Sequence, residues 1–289
     1  MEIRACRSLR VSSRELEFYA TPGPITNLSG CEPDALKGLP DTPAELAKVV
    51  RGCVVDGLPL PEGRNDPQIR PVSAMIGRIH ELEPLPLVEP RPPAKRFIGT
   101  CRHFATLTCA LLRHKGIPTR VRAGFAGYFE ADIWVDHWII EYWRTTEERW
   151  VRVDPEYGEE WFKARDPNAT SESVAGSKYL SGGEAWQRCR RGDLDPSRFK
   201  MGGVNWGIGE VRGSVLYDLA ALNKDEMLPW DTWSRMEAAY KSETDAAYDT
   251  LLDTVGRVTG AADFEAVREL YQEREELRVP PEMASRAAV

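Results

Sequence analysis

Cys101, His137 and Asp154 are the three residues in this sequence whose types could together supply a nucleophile, its base and a group that orients the base. Cys101 opens a stretch, Cys101–His114, in which Phe104, Leu107, Thr108 and Leu111 recur at i, i+3, i+4 and i+7. That spacing predicts an amphipathic helix, with Thr100 as N-cap and Cys101 at the first helical position. A thiol placed there faces the positive end of the helix dipole, so its pKa is expected to fall. The unsatisfied N–H groups of the first turn, that of Cys101 included, would suit a developing oxyanion. A cysteine near a helix start is more often a small packing residue, so position alone does not make it a nucleophile.

The elements that must position the other two residues follow the helix. Gly116 and Pro118 end it, with His114 and Lys115 suited to the negative end of its dipole. Residues 120–125, 137–143 and 150–154 are rich in β-branched and aromatic side chains and read as an antiparallel meander. A hairpin turning about Thr145-Thr146 sets His137 directly across from Asp154, with Cβ atoms about 5 Å apart on one face. The carboxylate could then accept a proton from one imidazole nitrogen and leave the other for a thiol. Asp136 would point to the opposite face of a regular strand, which favours Asp154 as the third member. A helix followed by such a sheet predicts an α+β core.

Punctuation divides the chain of 289 residues into three segments. Five prolines within 84–93 exclude a helix there and separate a mainly helical 1–83 from a core at 84–160. In the first segment Thr42, Pro43 and Glu45 form a helix-start pattern for 42–51, and a second helix is expected over 72–82. Polar and glycine-rich stretches at 171–177 and 181–183 precede helical patterns at 213–223, 232–256 and 261–276, so 161–289 reads as a mainly helical extension.

Composition narrows the function classes. With 42% hydrophobic and 29% charged residues and no apolar run of bilayer length, the chain reads as globular, without a membrane partner. Charges interrupt the first ten residues, so no secretory signal is read and a cytoplasmic address is expected. The formal charge of −7 argues against a general affinity for nucleic acid. Six scattered cysteines are expected as free thiols in a reducing compartment. The four histidines show no zinc-finger spacing and there is no Cys-x-x-Cys, so no metal and no cofactor are expected.

Three ordered blocks carry a resemblance: Gly99-Thr-Cys-Arg-His-Phe-Ala through Gly-Ile-Pro-Thr-Arg-Val-Arg-Ala-Gly-Phe125, then Asp136-His-Trp138, then Trp150-Val-Arg-Val-Asp-Pro155. Over residues 97–155 the sequence resembles the transglutaminase-like superfamily. The resemblance implies a papain-like α+β fold, with the cysteine helix packed on an antiparallel sheet. Residue by residue, it implies Cys101 as nucleophile, His137 as base and Asp154 as the third member. His103 departs from it, since aspartate is the common residue there. At i+2 from Cys101 it points elsewhere on the helix, and a surface or supporting role is expected. Residues 212–223 and 226–233 look similar to a bacterial subgroup of that superfamily with no substrate to name.

The implied activity is cysteine-dependent acyl transfer or amide hydrolysis through an acyl-enzyme. The partner would be a small-molecule or peptide-like acyl donor, a carrier-bound thioester included. The rival reading is a catalytically retired fold kept as a binding or scaffolding module. Candidate substrate contacts are Trp134 and Trp138 on the strands, although aromatic strand residues usually belong to a core. Trp206 and Trp230, beside glycine- or proline-containing turns, are candidates to roof a cleft.

Overall fold

In this computed structural model, which describes residues 11–57, 62–202 and 207–284, helices start where the sequence supplies caps. Ser12 accepts the Glu15 N–H at 3.1 Å and opens α1 (Ser13–Ala20). Thr42 accepts the Glu45 N–H ahead of α2 (Pro43–Cys53), and α3 spans Val72–Leu82 as expected. Two short strands, β1 (Val54–Asp56) and β2 (Phe97–Gly99), pair in parallel and deliver the chain to α4 (Cys101–His114). Gly116, at φ +73, turns the chain out of that helix, a backbone conformation open to glycine at little cost.

Three long strands follow, β3 (Thr119–Glu130), β4 (Ile133–Arg144) and β5 (Arg149–Val153). Then come α5 (Glu159–Lys163), α6 (Ser171–Ser177), β6 (Tyr179–Ser181), α7 (Gly182–Arg191) and β7 (Phe199–Lys200). The chain ends in α8 (Ile208–Leu222), α9 (Met236–Tyr240), α10 (Ala246–Ala261), α11 (Phe264–Glu273) and α12 (Pro281–Ala284). The sheet runs β5-β4-β3-β6 with antiparallel neighbours, and β7 joins β4 in parallel. The fold is α+β, with the cysteine helix packed on an antiparallel sheet.

The β4–β5 hairpin differs from its expected register. Ile140 pairs with Val153 and Arg144 with Arg149, so the turn is the four residues 145–148, with Glu148 at φ +47, rather than a tight turn at Thr145-Thr146. His137 is therefore not directly opposite Asp154. Asp154, just past the end of β5, is level with Ile139, two residues from His137. A shift of two residues keeps a side chain on its face, whereas a shift of one reverses it, so the two still meet on a diagonal.

Two readings of the tail also change. Residues 232–256 are not one helix: α9 ends at a turn where Ser242 takes φ +58, and Asp245 restarts the chain by accepting the Tyr248 N–H at 2.8 Å. The polar stretch 171–177 is itself helical, and Gly182 and Gly183 open a further helix, because Thr170 and Ser181 act as N-caps. Gly182 and Gly183 lie where α7 meets α8 and α10. A Cβ on the first would overlap the Ser214 carbonyl, and one on the second the Thr259 hydroxyl.

The core gathers Phe104, Leu107 and Leu111 of α4 with Val121, Ala123, Trp138 and Ile140 of the sheet. The same cluster takes in Val50 and Ile76 from the first segment and Val215, Leu219 and Leu252 from the last. A buried ionic layer lies against the sheet as well. Arg122 holds both Asp218 carboxylate oxygens at 2.8 Å, and Glu141 accepts from Arg120 at 2.7 Å and Arg152 at 2.9 Å. Among the described residues no helix is long and apolar enough to cross a membrane.

Candidate active site

The first turn of α4 fixes Cys101. Thr100 is the N-cap, in extended conformation, and His103 Nδ1 accepts its backbone N–H at 3.1 Å. His103 thus takes the place that glutamate or glutamine holds in a capping box. The sequence suggested a surface or supporting role; the side chain is fully buried, and burial together with the Arg102 charge holds its pKa well below 6.5. A neutral imidazole is what accepting on Nδ1 requires. Arg102, also buried, donates to the Glu226 carbonyl at 3.0 Å and the Arg70 carbonyl at 3.0 Å, so the turn is tied to chain before and after the core.

β4 delivers His137, opposite Gly124 of β3. Its Nε2 lies 2.8 Å from Asp154 Oδ2. Asp154 is held in turn by the Tyr128 hydroxyl at 2.6 Å and the Glu156 N–H at 2.9 Å, while Ser171 bonds both its backbone N–H and its carbonyl. With Nε2 donating to Asp154, Nδ1 faces the cysteine. Cys101 Sγ, a His137 ring nitrogen and a Glu156 carboxylate oxygen lie within 4.8 Å of one another, and Glu156 Oε2 lies 3.9 Å from Nδ1. Phe129 packs edge-on against the ring, its centroid 5.0 Å away.

The charge balance differs from what the helix dipole alone suggested. Burial pushes the Cys101 thiol up to about 11; His137 pulls the other way, and Glu156 and Asp136 add to the rise. Burial opposes the charged form of His137, yet the Asp154 charge and hydrogen bond outweigh it and hold the imidazole well above 6.5. The thiol and the imidazole titrate as a pair, and the form able to pass a proton from sulfur to nitrogen is the one with a neutral imidazole. Burial likewise raises Glu156 to about 8 and Asp136 to about 7.

These residues lie in a cleft of ≈ 900 Å³, whose wall includes Cys101, His137, Glu156, Phe129, Met201 and Trp230. Of the tryptophan candidates, Trp230 lines the cleft, 40% exposed. Trp138 does not: it is fully buried against Tyr217, as its alternation along a core-facing strand dictates. Trp134 stacks on Phe199 of β7, away from the cleft wall. Trp206 lies outside the described residues. Asp136, expected to point away, lines the cleft beside His137. Sequence reasoning missed Glu156, Ser171 and the bond from Tyr128 to Asp154; Glu156, two residues beyond Asp154, was findable by spacing, whereas Tyr128 and Ser171 reach Asp154 through tertiary packing. A metal was not expected, yet Cys101, His137 and Glu156 place three donor atoms within 4.8 Å of one another.

The family model described as the transglutaminase-like superfamily matches residues 89–155, the stretch that supplies Cys101, His137 and Asp154. Over these residues the chain is similar to the transglutaminase-like superfamily. A curated relative, the protein-glutamine gamma-glutamyltransferase of Pseudomonas aeruginosa, is 29% identical over 168 residues, 52% of this chain and 20% of the relative. The chain thus spans about a fifth of that protein's length. The crystal structure of red sea bream transglutaminase aligns with TM-score 0.30 and 16% identity over 39% of this chain and 21% of its own. In this transglutaminase-like core the cysteine opens the helix and the histidine and aspartate sit on or just beyond successive strands of the sheet.

Proposed function

We propose that the protein is a cysteine-dependent acyltransferase or amidase in which Cys101 is the nucleophile, His137 the base and Asp154 the orienting carboxylate. One observation carries the reading: the thiol, an imidazole within 4.8 Å of it and a carboxylate 2.8 Å from that imidazole converge in a cleft large enough for a substrate. His137 Nδ1 takes the thiol proton as Sγ attacks the acyl carbonyl. The oxyanion forms beside the N–H groups of the first turn of α4. Collapse expels the amine or thiol, which receives the proton from His137, and leaves a thioester on Cys101. Water or an amine then attacks the thioester, again giving its proton to His137, and the thiol is restored.

The donor we propose is a small or peptide-like amide or thioester, with carrier-bound thioesters included. The Pseudomonas relative is a protein-glutamine gamma-glutamyltransferase, which supports amide chemistry of this kind. The binding-module reading draws on one observation, the burial that holds the thiol up to about 11. Alkylation separates the two. Iodoacetamide should label Cys101 in the native protein with the other thiols mapped separately, and His137→Ala should slow that labelling by about 10²-fold, the scale of a positioned base. Equal rates at Cys101 in both proteins would favour the binding module.

A further inference from the structure

Cys101, His137 and Glu156 offer a sulfur, a nitrogen and an oxygen within 4.8 Å of one another in the wall of the cleft. We propose that these three side chains form a binding site for one divalent transition-metal ion of the zinc class, and that the ion silences the thiol by taking Cys101 Sγ as a ligand. The silencing rests on the proposed nucleophile; the site itself does not.

Thiolate, imidazole and carboxylate are the donor types of zinc sites that keep a fourth position open, and sulfur with imidazole disfavours magnesium or calcium. Metal–donor bonds of roughly 2.0–2.3 Å put tetrahedral donors about 3.3–3.7 Å apart. His137 Nδ1 and Glu156 Oε2 are already 3.9 Å apart, so small side-chain rotations, of about 1 Å at the donor atoms, would close the set. The surroundings favour the ion independently of its ligands. Asp154 accepts from Nε2 at 2.8 Å and so aims Nδ1 at the other two donors, the carboxylate–histidine arrangement that supports metal-bound imidazoles. The Glu156 N–H binds Asp154 Oδ1 at 2.9 Å, which couples the supporting carboxylate to the third ligand.

Charge points the same way. Asp154 and Asp56 act on Glu156 with its own sign, and a thiolate and a carboxylate together balance a divalent cation. The fourth position faces the cleft, open to water or substrate. Binding involves no redox step: the thiol loses its proton to solvent as the S–metal bond forms, and protons on Nδ1 and on the Glu156 carboxyl leave likewise.

Cobalt(II) added to the full chain tests this. One equivalent should produce a thiolate-to-cobalt charge-transfer band and the strong visible bands of a four-coordinate ion, both removed by zinc. Cys101→Ala should abolish the charge-transfer band. Glu156→Gln should weaken cobalt at least about tenfold, and Asp154→Asn by about 10–100-fold, with circular dichroism confirming that both variants fold. Zinc should also slow iodoacetamide labelling of Cys101. A charge-transfer band that persists in Cys101→Ala, or equal affinity in Glu156→Gln, would overturn the site. Because the spectrum requires no acyl transfer, a cobalt band without acyl capture on Cys101 contradicts the nucleophile and keeps the site. Acyl capture without the band does the reverse.

Discussion

His137 owes its raised pKa to Asp154, and the sign of that debt is testable. Burial favours the neutral imidazole and the Asp154 carboxylate overrides it. Labelling of Cys101 in the native protein should accelerate as pH rises from neutrality toward the raised thiol value. Asp154→Asn removes the opposing charge, so the His137 pKa falls, and it also removes the carboxylate that orients the ring. Acylation should drop by about 10²–10⁴-fold, with the inflection displaced to lower pH. A pH–rate profile unchanged in Asp154→Asn would show that His137 titrates independently of it. Glu156 could be found by its spacing from Asp154, but its interest comes from lying 3.9 Å from Nδ1 with its side chain 7% exposed, which spacing does not give.

At the level of elements, what was legible depended on how local the cause was. The ends of α4 could be read because Thr100, Gly116 and Pro118 act on their own neighbourhood. The hairpin register could not, because it turns on Glu148 adopting a left-handed conformation that its type does not favour. The consequence for His137 and Asp154 was small, since the error was an even number of residues. Trp138 and Trp134 could not be sorted from the sequence, because an aromatic residue on a strand looks the same whether it meets a core or a cleft. Gly124 is the element-level requirement most open to test. It sits across from His137 where β6 crosses, and a Cβ there would overlap the Leu180 carbonyl. Gly124→Ala should lower stability by about 1–3 kcal/mol in chemical denaturation and slow Cys101 labelling, since His137 shares that strand pair. Wild-type stability and labelling in this variant would mean that β6 yields freely.

For the whole molecule, the cleft is built from distant parts of the chain. Cys101 and His137 come from the stretch that matches the family model, Glu156 from just past it, Asp56 from the segment before it, and Trp230, Tyr240 and Lys241 from the tail. In the tail the sequence pointed to Trp230 but not to Tyr240 or Lys241, because the helices there read as ordinary amphipathic packing. The tail is fastened to the sheet by the bidentate Arg122–Asp218 pair between β3 and α8, fully buried. Removing one member of such a pair leaves an uncompensated charge, so Asp218→Ala should cost about 3–5 kcal/mol in a urea titration. A loss under about 1 kcal/mol would show that Glu141, which also contacts Arg122, satisfies the guanidinium alone.

The proposal that Cys101 carries the acyl group through the reaction meets its most direct test in one measurement. The full-length protein is mixed with a small acyl thioester, quenched in acid within seconds, and examined by intact-mass and peptide-mapping mass spectrometry. The account predicts one acyl increment, located on Cys101, absent from Cys101→Ala and much reduced in His137→Ala. Acylation spread over the other cysteines, or undiminished in Cys101→Ala, would contradict it.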